Sequence, residues 1–371
     1  MKIAFVCPRS NHLKILGPVW AEARQRGHQV EAVVVPADHK GAGAMAFVQA
    51  ELGGPIRSPI GLEAAGFDWA VVVGMRTAPD LRARTRPRLR WAALDHAQDN
   101  LTYLLEGAST AGWDLVTTLA EEPRAFAEGE TGGYFGHDLV PIGYPELDQL
   151  ALPHMTRDAC RAKWNLPAGK LVVVFGTLAR PQMVGRFRRW WVGQTQYWAV
   201  VRALRRWCDA HNALLVAKTR LKHGDPAWLT RYCDRVIGDQ SFYPFTTLEL
   251  LRAADLYVGY ASALAIEASA VGLPQVHLHA WPPWRSEWPW AWPLKKRFFW
   301  EAGGLWMPPG SEQVGCWQPG WQDMLDFRIR LARQAIGRGD AILMRARAER
   351  WAGPLDGKAS ARFLDLLEQR C

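Results

Sequence analysis

Residues 254–276 read Ala-Asp-Leu-Tyr-Val-Gly-Tyr-Ala-Ser-Ala-Leu-Ala-Ile-Glu-Ala-Ser-Ala-Val-Gly-Leu-Pro-Gln-Val. Leu256 to Gly259 is a short apolar run framed by Asp255, which reads as a buried strand. Ala261 to Val271 is rich in Ala and Leu and reads as a helix. Gly272-Leu-Pro274 stops that helix, and Gln275 to Leu278 opens another strand. Strand, helix and strand in so few residues form a βαβ unit, which joins parallel strands.

The same rhythm runs outward in both directions. Upstream, strands are expected at Lys170–Phe175, Leu214–Lys218 and Arg235–Ile237, with a long amphipathic helix over Gln194–Asn212. Nearer the N-terminus, Lys2–Val6, Gln29–Val35, Trp69–Val73, Trp91–Leu94, Leu115–Leu119 and Leu139–Ile142 have strand character. Asp148 to Arg157, containing Pro153, reads as a connection between two such arrays. Downstream, Asp323 to about Trp351 and Lys358 to Gln369 read as helices. The expected architecture is therefore α/β: two Rossmann-like domains with parallel sheets, spanning residues 1–153 and 154–371.

Composition agrees with a folded α/β protein. Of 371 residues, 49% are hydrophobic and 22% charged, which excludes low-complexity disorder and collagen-like repeats. The six cysteines are scattered without a C-x-x-C pair, as expected of free thiols rather than a disulfide framework or a zinc site. The opening apolar run stops at Pro8, short of a signal-peptide core. No stretch reaches the roughly 20 apolar residues of a membrane-spanning helix. A cytoplasmic protein is the expectation.

Charge divides unevenly. Residues 1–153 hold 14 Lys/Arg against 18 Asp/Glu, and residues 154–371 hold 31 against 18. The basic second half suits an anionic partner such as a nucleoside diphosphate, a nucleic acid or a membrane surface.

Ligands of open parallel sheets bind at the carboxyl ends of the strands, so the polar residues of those loops are the candidates. In the second half they are Gly176 and Thr177 after one strand, then Lys218, Arg220, Lys222 and His223 after the next. Ser262 stands near a helix start, where a hydroxyl either caps the helix or holds phosphate. Glu267 lies in a helix flanked by Leu264, Ile266, Ala268 and Ala270, so its carboxylate is expected to be buried and to need a partner. In the first half, His12, Asp95 and His96 occupy equivalent loops, and any of them is a candidate base for activating a hydroxyl.

Two further features stand out. Arg76, Arg82, Arg84, Arg86, Arg88 and Arg90 make a basic run in an otherwise acidic half. Arg76, Arg82 and Arg84 are candidates for an anionic acceptor, with a solvated loop as the alternative. Trp281 to Trp300 holds six of the chain's 20 tryptophans, four prolines and Lys295-Lys296-Arg297. It reads as a Pro-stiffened loop burying its indoles, as a membrane-interface element, or as a platform for sugars or bases.

The 254–276 pattern resembles the donor-binding signature of GT-B glycosyltransferases. Arg24-Gln-Arg-Gly-His-Gln-Val30 is similar to their R-G-H-x-V helix end. Ile142-Gly-Tyr-Pro-Glu-Leu-Asp148 resembles the G-x-P-x-x-D of CDP-glycerol glycerophosphotransferases and related surface-glycan transferases. Asp356-Gly-Lys-Ala-Ser-Ala-Arg-Phe363 resembles the start of their C-terminal helix, which packs back toward the N-terminal domain. Where those enzymes often carry Asp-Tyr-Ser-Ser, this chain has Gly259-Tyr-Ala-Ser262, and their His-Pro is replaced by Thr219 to His223. The departures favour a nucleotide sugar over a polyol-phosphate donor.

The resemblance implies that Glu267 binds the donor ribose and that Ser262, Thr177, Arg180 and Lys218 hold the diphosphate. It also implies a metal-independent transferase, without cofactor, acting on a cell-surface or lipid-linked glycan; the tryptophans and basic residues of Trp281–Trp300 add the expectation of peripheral contact at the inner face of the membrane. Three other activities stay open: glycosylation of modified bases in DNA, nucleotide-sugar 2-epimerisation, and non-catalytic binding of a sugar nucleotide or nucleic acid.

Overall fold

The computed structural model describes residues 1–8, 10–34, 52–53, 55–96, 99–105, 109–131, 139–177, 188–219, 228–238, 245–260, 264–279, 312–315, 320–337 and 340–371. These residues build two parallel sheets. The first contains β1 (Lys2–Val6), β2 (Gln29–Val33), β3 (Ile56–Arg57), β4 (Trp69–Val73), β5 (Arg90–Leu94), β6 (Leu115–Thr118) and β7 (Leu139–Pro141). The second contains β8 (Leu171–Gly176), β9 (Ala213–Lys218), β10 (Arg235–Ile237), β11 (Leu256–Tyr260), β12 (Gln275–His279) and β13 (Glu312–Gly315).

The order is β3-β2-β1-β4-β5-β6-β7 in one sheet and β10-β9-β8-β11-β12-β13 in the other, and every neighbouring pair is parallel. Counted within each sheet, the second follows the 3-2-1-4-5-6 sequence of a dinucleotide-binding fold, and the first follows it with a seventh strand added at the end. The order therefore reverses once in each, between β1 and β4 and between β8 and β11. All five residues of β4 and all five of β11 are buried. Such strands are apolar on both faces because helices cover both faces, which is why they appear in the sequence as unbroken runs rather than alternating ones.

The chain divides into two compact units. The first comprises Met1–Leu152, Ser241–Thr246 and Glu349–Cys371. The second comprises Pro153–Gln240 and Thr247–Ala348. The last segment of the chain, expected from sequence within 154–371 but with its helices packing back toward the N-terminal domain, is grouped here with the first sheet. Helix Ala359–Gln369 is held there by its N-terminus: Asp148 Oδ1 accepts from the Ala359 amide at 3.0 Å and Oδ2 from the Ser360 amide at 2.7 Å. Arg362 Nε donates to the Ile142 carbonyl at 2.7 Å. Gly353 passes so close to Gly143 that a side-chain carbon there would lie 2.6 Å from the Gly143 Cα. The two motifs Ile142–Asp148 and Asp356–Phe363 are therefore the two sides of one contact.

In the second unit, helix Arg188–Ala210 lies on the face of β8, β9 and β11 that carries Phe175, Ala217, Val258 and Tyr260. Its Tyr197 ring stacks 5.7 Å from Phe175 and meets Trp228 edge-on at 5.2 Å. The other face of that sheet is of a different character.

Candidate active site

The crevice at a reversal of strand order is where open α/β sheets hold ligands. In the first unit it lies beyond Val6 and Val73. After β1 the chain makes a 3-10 turn over Ser10–His12 and enters helix Leu13–Gln25. His12 occupies the helix N-cap position and is buried. Two residues on, Lys14 is also buried, and its ammonium sits 3.1 and 2.9 Å from the two oxygens of Glu146, which is completely inaccessible. The Phe245 ring centroid lies 5.0 Å from the same ammonium, a cation–π contact. The backbone amide of Phe245 donates to Gln149 Oε1 at 2.6 Å, which fixes the ring. A buried pair such as this is held by its mutual satisfaction, because a lone charge there would lack any solvent.

Asp95 and His96 follow β5 directly and differ in their surroundings. Asp95 is 1% exposed. Its Oδ1 accepts from the Asn100 amide at 3.1 Å, and its own amide donates to Thr117 Oγ1 at 2.9 Å. Asn100 in turn accepts from the Met75 amide at 2.8 Å and donates to the Thr117 carbonyl at 3.1 Å. Asp95 is thus a strut that ties the ends of β4, β5 and β6 together. His96 is only partly buried, and its Nδ1 lies 2.9 Å from the hydroxyl of the buried Tyr144. Of the two, His96 is the group presented at the edge.

In the second unit the reversal lies beyond Gly176 and Tyr260. Gly176 and Gly259 face each other across β8 and β11. The phenol of Tyr257 lies over both: a side-chain carbon at Gly176 would stand 2.6 Å from its hydroxyl, and one at Gly259 would collide with it as well. These glycines make room for a tyrosine ring. Thr177, the residue after Gly176, is tied to the end of β9. Its amide and hydroxyl both donate to the Lys218 carbonyl, each at 3.1 Å, and so close the end of β9. Lys218 is 3% exposed, and its ammonium donates to the Thr219 carbonyl at 2.6 Å.

On the face of this sheet opposite Phe175, β11 and β12 carry a buried polar cluster. Tyr257 pairs in register with Gln275, and Gly259 with His277. Gln275 Nε2 donates to Ser269 Oγ at 2.6 Å, Ser269 donates to the Ala265 carbonyl at 2.9 Å, and His277 Nε2 lies 3.1 Å from Gln275 Oε1. Helix Leu264–Ala270 covers this face with all seven residues buried, and Glu267 within it is inaccessible to solvent. The expectation of a buried Glu267 is met in position. Arg180, Arg220, His223, Ser262 and the Trp281–Trp300 segment lie outside the described residues.

The arginines separate into two groups. Arg76 belongs to the loop after β4, beside the first-unit site, with its guanidinium 4.4 Å from the Tyr103 ring centroid. Helix Pro79–Thr85 then carries the chain back along the sheet, so Arg82 and Arg84, in its last turn, lie toward the start of β5. Because the sheet is wholly parallel, that is the edge opposite His12, Asp95 and His96.

Lys14, Glu146, Tyr144 and Phe245 were not singled out from sequence. A lysine between Leu13 and Ile15 in an apolar stretch was a signal for Lys14. Glu146 and Tyr144 lay inside a quoted motif without a role, and Phe245 offered no signal.

No protein-family model and no curated protein sequence matches the chain. Solved structures do. The UDP-GlcNAc 2-epimerase of Neisseria meningitidis, bound to UDP-GlcNAc, superposes with a TM-score of 0.63 at 11% identity, covering 100% of both chains. The wall teichoic acid polymerase TagF gives 0.60 at 15% identity over 100% of this chain and 88% of that one. The glycotransferase of kitacinnamycin gives 0.56 at 14%, over 100% and 98%. The fold is of the GT-B type, with two sheets of parallel strands flanked by helices.

Proposed function

We propose that the protein is a glycosyltransferase that moves a sugar from a nucleotide-sugar donor to a hydroxyl of a cell-surface or lipid-linked glycan, in the cytoplasm at the inner face of the membrane. The observation that carries this reading is His96: a partly exposed imidazole at the carboxyl edge of the first sheet, with Nδ1 held against Tyr144. An imidazole oriented in this way suits a base that takes the proton of an acceptor hydroxyl. The acceptor oxygen then bonds to the anomeric carbon, the bond from that carbon to the diphosphate oxygen breaks, and the nucleoside diphosphate leaves with the electron pair. Glu267 is assigned to the donor ribose, and the basic residues from Lys218 to His223 to the charge of the leaving diphosphate, without a bound metal. Arg76 remains an acceptor candidate, at the same edge as His96.

A second reading, nucleotide-sugar 2-epimerisation, is supported by one structural neighbour, an epimerase bound to UDP-GlcNAc that is covered over its full length. Among the described residues no helix is long and apolar enough to cross a membrane, so membrane association in this reading is peripheral.

The test is a thermal-shift panel of UDP, CDP, GDP, ADP and dTDP, followed by turnover with the sugar nucleotide of the base selected. A nucleotide that binds only the folded protein raises its melting temperature by mass action. One nucleotide is expected to do so, and Glu267→Gln to lose the shift. A flat panel overturns both readings. Release of a free epimer without any acceptor selects the second.

A further inference from the structure

Gln275 and His277 lie on the face of β12 that helix Leu264–Ala270 covers, and both are buried. The direction of each hydrogen bond there is fixed by the one before it. The Ser269 hydroxyl commits its single proton to the Ala265 carbonyl at 2.9 Å, so toward Gln275 it accepts, from Nε2 at 2.6 Å. The amide oxygen of Gln275 is thereby turned to His277, and the Nε2 of His277, 3.1 Å from it, carries the hydrogen.

The bond to Ser269 also orients the helix. Ala265 and Ser269 are one turn apart and share a side, whereas Glu267, two residues from each, falls about 200° round the axis. Leu264, Ala265, Ile266, Ala268 and Ala270 make the rest of this buried helix apolar and mostly small, which holds its rotation weakly. Gln275 is a fixed point by contrast. It pairs with Tyr257 in the β11–β12 ladder, and the turn between helix and strand closes on the carbonyls of Glu267, Ala268 and Ser269. A bond from the strand to one side of the helix sets the direction of the other side, which carries Glu267. An apolar residue at 275 would avoid the cost of burying an amide, but a satisfied polar network selects one arrangement of the core.

We propose that Gln275 is a positioning residue of the donor site: through Ser269 it sets the rotation of helix Leu264–Ala270 and so holds Glu267 toward the donor ribose. This rests on the assignment of Glu267 to that ribose. Gln275 acts through the helix and touches no substrate.

The experiment is titration calorimetry on the full chain with UDP, CDP, GDP, ADP and dTDP, each beside its analogue lacking the pentose hydroxyls. The native chain is expected to bind one of the five about tenfold or more tighter than its analogue, the difference that hydrogen bonds to a carboxylate make. Glu267→Gln should bind that nucleotide only as well as the native chain binds the analogue. Gln275→Met keeps the length of the side chain and loses both bonds. It should reduce the preference to about twofold while affinity for the analogue stays within about twofold of native. Ser269→Ala, a substitution that favours a helix, should do the same from the other end of the bond, and the double variant should lose no more than either single one. A native chain without the preference, or a Glu267→Gln variant that keeps it, overturns the Glu267 assignment and this proposal with it. Loss of the preference in Glu267→Gln but not in Gln275→Met or Ser269→Ala overturns the positioning role alone. A parallel weakening of nucleotide and analogue in those two variants also overturns it, because that is what a merely loosened unit would show.

Discussion

Asp148 and Ser360 are 212 positions apart in the chain, and a 2.7 Å hydrogen bond from the Ser360 amide to the Asp148 carboxylate joins them. With the 3.0 Å bond from Ala359 to the other oxygen, one side chain satisfies two of the amides that a helix leaves open at its start. The side-chain cap of helix Ala359–Gln369 is supplied by a distant residue, Lys358 at the N-cap position making no side-chain bond. Replacement by alanine should therefore behave as the loss of an N-cap in a partly buried setting, about 1–2 kcal/mol. Asp148→Ala should lower the denaturation midpoint of the first unit without altering nucleotide affinity, read by urea unfolding and by binding.

The Lys14–Glu146 pair makes a sharper prediction. Glu146→Gln or Lys14→Met each leaves a charge in a site with no solvent, at a cost of about 3–5 kcal/mol. The double variant removes both charges and should recover a large part of that loss. A double variant as unstable as the sum of the singles would show that the pair contributes by packing alone.

His96 and Tyr144 are separable by kinetics. His96→Ala should lower turnover by about 10²-fold or more, the contribution of a general base, with donor affinity retained. Tyr144→Phe keeps the ring and removes the hydroxyl at Nδ1. It should give a smaller loss in kcat and displace the acid limb of the kcat–pH profile. An unaltered profile would remove Tyr144 from the mechanism.

Gly176 and Gly259 are predicted to be intolerant of any side chain because Tyr257 occupies the space. Gly176→Ala should destabilise the second unit by about 1–3 kcal/mol, the usual range for overpacking. Combination with Tyr257→Leu should relieve much of it, which thermal melts of the two variants would show.

The cysteines set an alkaline limit. Burial pushes the Cys208 and Cys233 thiols up to about 12, and Cys160 to about 11, from 9.0. In the window above 9 the unfolded chain releases thiol protons that the folded chain keeps, so stability should fall as pH rises through 9 to 12. Cys208→Ser and Cys233→Ala variants would flatten that decline. At neutral pH, exposed Cys371 should react with a thiol reagent well before the buried Cys7, Cys160, Cys208 and Cys233.

Much of the fold is legible in the chain because buried parallel strands announce themselves as apolar runs. Trp69–Val73, Leu171–Gly176 and Leu256–Tyr260 could hardly be anything else. Ile56–Arg57 and Glu312–Gly315 escaped: the first is two residues long, and the second alternates too briefly to show a period. The helix expected over Asp323 to Trp351 forms as two, Trp321–Gly337 and Asp340–Ala352.

The site was legible only as a set of loops. Asp95 and His96 look alike in sequence, and what separates them is a bond to Asn100 in one case and to Tyr144, 48 residues away, in the other. Likewise, that Gly176 serves Tyr257 depends on register between β8 and β11. Such pairings belong to the assembled sheet.

The bond between Asp148 and Ser360 also separates two events during synthesis. A ribosome delivers every strand of the first sheet before it begins the second, yet helix Ala359–Gln369, which is grouped with the first unit, follows the whole second sheet in the chain. The second unit is translated between two segments of the first. The sheet that is translated first therefore gains this helix only after the other sheet has been made, and until then the apolar groups that meet Phe363, Leu364 and Leu367 lack that cover.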